Sequence, residues 1–159
     1  MSTQAFFEWL QQTALSAYFL ETTWASPIIQ CVHLVALTVF AGSLLIVDVR
    51  LLGRGLTNTP VAQLAREAEK WMIGAFVALL LSGVPQMVAT ALKEYYSPHF
   101  WMKMQLILAG LAFTFTIRRK VALADEELIG KVWPKLVALV SIAIWTSAAT
   151  WARLIGLLS

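Results

Sequence analysis

The sequence predicts an all-α membrane protein, with four transmembrane helices in an antiparallel bundle and an N-terminal amphipathic helix at the interface. Three observations carry this prediction. Hydrophobic residues make up 59% of the 159 and charged residues 13%, against about 45–50% and about 25% in ordinary soluble chains. Mean hydropathy is +0.73. Twelve basic and nine acidic side chains are too few to cover a soluble core, and they lie between long apolar runs. That placement ties the net charge of +3 to a bilayer surface and argues against nucleic acid as a partner. One cysteine and almost no low-complexity sequence exclude a disulfide scaffold and a disordered chain.

The elements follow in order. Over residues 3–19, Phe6, Leu10, Ala14, Ala17 and Tyr18 recur at helical spacing, which predicts an amphipathic helix lying on the outer surface. This stretch is not read as a signal peptide. It has no basic start, and Glu8, Gln11, Gln12 and Glu21 interrupt its apolar residues. Four runs, 27–47, 72–92, 100–117 and 136–157, have about the length that crosses a hydrocarbon core. Within lipid they must be helices, because an open strand would leave backbone groups unpaired. Between the first two spans, Thr59 and Pro60 predict the capped start of a short helix. Ser82-Gly83-Val84-Pro85 predicts a break in the second span near mid-membrane. Residues 124–132 are expected to hold another turn or two. No repeat or linker divides the chain, so residues 1–159 are read as one domain.

The basic residues set an expected orientation. Residues 1–26 contain none, whereas Arg50, Arg54, Arg66, Lys70, Arg118, Arg119, Lys120, Lys131 and Lys135 fall in alternate loops. The positive-inside rule then puts both termini outside and both long loops in the cytoplasm of a bacterial inner membrane. Trp24, Trp101 and Trp151 mark the outer interface; Trp71 and Trp133 mark the inner one.

At about 1.5 Å per helical residue, this orientation gives each polar residue a depth. Gln30, Cys31, His33, Gln86, Met87, His99, Met102, Lys103, Met104, Gln105 and Arg153 all fall in the outer half. Polar groups in a span are costly and normally face the bundle interior, so an outer polar site is expected. Helix-joining hydrogen bonds and snorkelling of Lys103 and Arg153 are the simpler alternative. A buried imidazole at His33 needs a partner. Haem b suits the layout: axial ligation by His33 with His99, Met87 or Met102, and propionates directed at Lys103 or Arg153. His33 and His99 are the candidate metal ligands. Gly110 shares a helical face with His99, Met102, Lys103 and Leu106, which would let a flat macrocycle approach the backbone.

Copper is the competing metal, since Cys31, His33, His99, Met102 and Met104 offer the soft ligands Cu(I) prefers. Cys31 and His33, however, point about 200° apart on one helix. No nucleotide loop, HExxH, CxxC or nucleophile elbow is present, so no catalytic residue is named. Asp48 is expected to hold Arg50, Lys70 or a neighbouring helix end, a structural clamp rather than a proton-transfer group.

The runs His33–Gly53 (HLVALTVFAGSLLIVDVRLLG), Ser82–Met87 (SGVPQM) and Glu94–Gly110 (EYYSPHFWMKMQLILAG) resemble an uncharacterised family of small bacterial four-helix membrane proteins. The family pattern departs at Ser97-Pro98-His99, which makes His99 particular to this chain. The resemblance implies a fold and a membrane location but no activity. More distantly, the plan is similar to membrane b-type cytochromes and copper-resistance membrane proteins. The expected function is a small b-type haem protein in electron transfer or redox sensing, with a quinone or a periplasmic redox protein as partner. A non-enzymatic scaffold subunit and a Cu(I)-binding membrane protein are the alternatives. Four helices barely enclose a core, and Gly42, Ser43, Ala148 and Ala149 permit close contact, so a homo-oligomer is expected.

Overall fold

A computed structural model describes residues 3–56, 58–124, 130 and 132–158, with side chains described through residue 154. Among these residues every regular element is a helix. The N-terminal stretch forms two helices, α1 (Thr3–Gln11) and α2 (Ala14–Glu21), where the sequence pattern predicted one. The division falls at Thr13, whose hydroxyl accepts from the Ser16 backbone N–H and so caps α2.

The first span is α3 (Ala25–Leu51), and it ends at Gly53, whose φ of 77° suits a residue without Cβ. The second is α4 (Val61–Ala89). The short loop helix expected after Thr59 is its continuous first part, and Pro60 rather than Thr59 stands at the cap. Nor does Pro85 break it. The helix runs on through the proline, and the Ser82 hydroxyl and Gln86 amide beside it bond carbonyls four residues back. A short α5 (Ala91–Tyr96) follows.

The third span runs from Pro98 to Leu123 in three parts: α6 (Pro98–Phe113), a π-helical turn (Thr114–Arg118) and α7 (Arg119–Leu123). The fourth is α8 (Val132–Leu158). Among the described residues, four helices are thus long and apolar enough to cross a membrane. The turn or two expected over 124–132 lies largely outside the described residues.

Helix α3 packs along α4 and against α8, and α6 packs along α8. Three buried layers tie them together. At the end carrying the basic loops, Val47, Leu51, Val61, Ala68, Ala122 and Ala138 meet. Phe40, Leu44, Met72 and Ala75 fill the middle, with Leu111 and Trp145 against them. At the opposite end Phe7 of α1 closes over Ala91 and Phe100. Rows of Leu, Val and Ile on α3, α4 and α8 face outward, as lipid-facing helices require. Rather than lying free on the surface, α1 packs on α5 and α2 packs on α4.

Candidate functional site

Two polar constellations sit inside the apolar bundle, one toward each end. The first is built around His33. Helix α3 turns Cys31 outward and His33 toward α4, as their separation of about 200° requires. His33 Nδ1 lies 2.9 Å from Ser82 Oγ. The Ser82 hydroxyl has a single proton and donates it to the Ala78 carbonyl at 2.6 Å. With that proton engaged at the carbonyl, its oxygen is the acceptor for His33 Nδ1–H, and in the neutral ring Nε2 then carries the lone pair. Gly83 makes room beside it: a Cβ there would stand 3.2 Å from His33 Cε1.

Around this ring the other expected ligands are placed unequally. Lys103 lies within electrostatic reach of His33 and of Glu94, with its ammonium 5.5 Å over the Phe100 ring. Met87 and Met104 pack against the Phe7–Ala91–Phe100 layer. His99 stacks on Trp151 of α8, ring centroids 5.5 Å apart. Met102 and Arg153 face outward, as do Gln30 and Gln105. Gly110 admits a flat ring, but that ring is the indole of Trp145: a Cβ at Gly110 would meet it at 3.1 Å. Among the described residues no three His, Cys, Asp or Glu side chains gather into a metal-binding group.

Glu94 belongs to the same end. Burial pushes its carboxyl above the usual carboxylate range, opposed by the charges of Lys103 and Lys93. Its Oε2 is buried with no hydrogen-bond partner, as is the hydroxyl of Ser97 three residues on. The sequence pattern gave no sign that this interfacial acid would be enclosed.

The second constellation lies toward the basic end. Asp48 is 1% exposed, and Arg118 reaches it across the bundle, Nε to Oδ1 at 2.7 Å. Ser141 of α8 donates to Asp48 Oδ2 at 2.7 Å, and Arg118 Nη2 donates to the Leu44 carbonyl at 2.8 Å. Of the partners expected for Asp48 (Arg50, Lys70 or a neighbouring helix end), it is the end of the third span that holds it, through Arg118. Arg50 instead bonds the Thr59 carbonyl and Lys70 pairs with Glu67. Arg118 had been counted as an interfacial charge of the positive loop. The signal that could have found it is Asp48 itself, because an acid within a span calls for a cation at matching depth.

The fold and these enclosed polar groups define a small multi-pass helical membrane protein. The chain belongs to a family of unknown function, DUF6644, whose model matches residues 6–158. No curated protein and no solved structure matches it. The more distant resemblance to membrane cytochromes and copper-resistance proteins gains no support from these comparisons.

Proposed function

We propose that the protein is a membrane b-type haem protein that ligates iron through His33 Nε2 and serves electron transfer or redox sensing. One observation carries the reading: Ser82 fixes the His33 ring with Nδ1–H engaged and Nε2 carrying a free lone pair. A ligating histidine is commonly held this way, its second nitrogen donating to a nearby oxygen. His33 would hold the iron, and Lys103, within electrostatic reach of His33, would supply a cation for haem propionates. Arg153, which faces outward, would serve only from the bundle surface. A second ligand would come from Met87 or His99, or from a neighbouring protomer, the one arrangement in which the outward-facing Met102 could serve. Bound haem would supply one-electron chemistry. The chain's own part is to orient the imidazole, exclude water with the Phe7–Phe100 layer and hold Lys103 near the acid groups.

The setting of the proposal is a bacterial inner membrane with both termini outside, supported by the distribution of Lys and Arg between loops. A quinone or a periplasmic redox protein would then exchange electrons with the outer half. A homo-oligomer would let one copy's His99 serve another's site. The test is an absorption spectrum of full-length protein purified from cells supplied with haem. A Soret band with sharp reduced α and β bands, lost in His33→Ala, is the expected result. A colourless, copper-free protein whose His33→Ala variant behaves like wild type would overturn the reading in favour of a scaffold subunit.

A further inference from the structure

The charged cluster at the basic end plays no part in that proposal, and it coincides with the one irregular turn in the third span. Over Thr114–Arg118 the helix is π-wound, and the Arg119 N–H reaches back five residues to the Thr114 carbonyl. A π turn accommodates about one residue more than an α turn, so it shifts everything beyond it by close to 100°. In the π register two successive arginines are both paired. Arg118 meets Asp48, and Arg119 meets Glu69 of α4, with Nε and Oε1 3.0 Å apart. Relaxed to an α turn, the same segment would bring Arg118 to the direction Arg119 now holds, toward Glu69. Ile117, now 49% exposed, would turn to the place opposite Asp48.

What decides between the registers is the charge on Asp48. An ionised carboxylate inside the span requires a cation, and only the π register supplies one. A neutral carboxyl is satisfied by Ser141 alone and tolerates Ile117 beside it. A partly open cleft of about 20 Å³, large enough for a water, is lined by Glu69, Thr114, Arg118 and Arg119, the groups that exchange partners between the two registers.

We infer that Asp48 is a proton-binding site, and that its protonation converts the Thr114–Arg118 π turn to an α turn, transferring Arg118 from Asp48 to Glu69. The groups facing Asp48 fit this account. Arg118 comes from the π turn and the Ser141 hydroxyl from α8, whose Lys135 is exposed. Glu69 of α4 and Arg119 of α7 line the cleft beside Arg118, and Arg50 on α3 bonds the Thr59 carbonyl. Thr114, held by the Trp145 indole N–H at 3.2 Å, anchors the start of the turn in either register.

Magic-angle-spinning NMR of the full-length chain in lipid bilayers, labelled at arginine, aspartate and glutamate, tests this as pH is lowered. The expected result is loss of the Asp48–Arg118 contact as Asp48 becomes neutral, with an Arg118–Glu69 contact replacing Arg119–Glu69. Asp48→Asn should show that second pattern already at neutral pH, and an Arg119→Gln sample identifies which arginine is seen. The inference is overturned if Asp48 becomes neutral with Arg118 still beside it. It is equally overturned if Asp48 stays ionised wherever the helices remain folded. The wild-type titration decides even if Asp48→Asn does not fold.

Discussion

His33 and Ser82, 49 residues apart, join the first two spans through a 2.9 Å contact in which the imidazole donates and the hydroxyl accepts. The serine oxygen acts on the ring from behind, through Nδ1, while Nε2 stays available. Removing it should therefore weaken a ligand on Nε2 without removing the ligating atom. Ser82→Ala is expected to lower haem affinity by about 10–100-fold, as loss of such an orienting partner typically does. Haem titration followed by absorbance checks this. Unchanged affinity would show that the ring needs no help from Ser82.

How much of this was legible in the sequence differs between fold and site. The four spans follow from length and apolarity, since lipid admits no other solution. Their ends were less legible. The run from Val61 to Ala89 reads as a loop helix followed by a span because Glu67, Glu69 and Lys70 break its apolarity, yet the backbone continues through them. The polar outer half was partly legible: His33 and Lys103 turn inward, but Cys31, Met102 and Gln105 share that depth while facing lipid. Depth is fixed by position along a helix, whereas facing depends on how four helices rotate against one another. Arg118 was missed for the same reason. A π turn alters the facing of every residue past it, and no residue type announces one.

Gly110 offers a test of packing independent of any ligand. A Cβ there would meet Trp145 and Ile144 at 3.1 Å. Trp145 cannot easily withdraw, because its N–H bonds Thr114 and its ring stands edge-on to Phe40 at 4.9 Å. Gly110→Ala should cost about 1–3 kcal/mol, the usual penalty of overpacking. Gly42→Ala is the control, with nothing within 4 Å of its added Cβ. It should be neutral or slightly stabilising through helix propensity. Equilibrium unfolding in mixed detergent micelles compares the two.

Glu94 predicts a pH dependence for the outer cap. Its folded-state pKa lies above the ordinary value of 4.5 because of burial, with Lys103 and Lys93 only partly opposing. Between those two pKa values the folded chain binds more protons than the unfolded one, so stability falls as pH rises through that window. The contribution is complete below pH 4.5 and is lost once Glu94 ionises in the folded protein. Hydrogen exchange at the amides of α5 should accelerate as pH rises through the window, after correction for the intrinsic rate. Glu94→Gln should flatten that trend. An identical trend in the variant would assign it to another group.

Asp48 and Arg118 should behave as one unit when either is removed. The carboxylate is 1% exposed and the guanidinium 7%, so neither can turn to water when its partner is lost. Arg118→Ala leaves an uncompensated charge beside Ser141, whereas Asp48→Ala releases Arg118 toward Glu69. Arg118→Ala is expected to cost about 3–5 kcal/mol, the range for breaking a buried ion pair, and Asp48→Ala less. The double variant Asp48→Ala/Arg118→Ala removes both charges and should cost less than the sum of the two single changes, by up to about 3 kcal/mol of coupling. Ser141→Ala should cost about 1–3 kcal/mol, because Oδ2 loses its donor while Arg118 keeps Oδ1. Unfolding free energies of the four proteins with wild type, measured in one detergent at one pH, complete the comparison. Additive single costs would mean that the two residues stabilise the bundle separately, and that Asp48 does not depend on Arg118 for its charge.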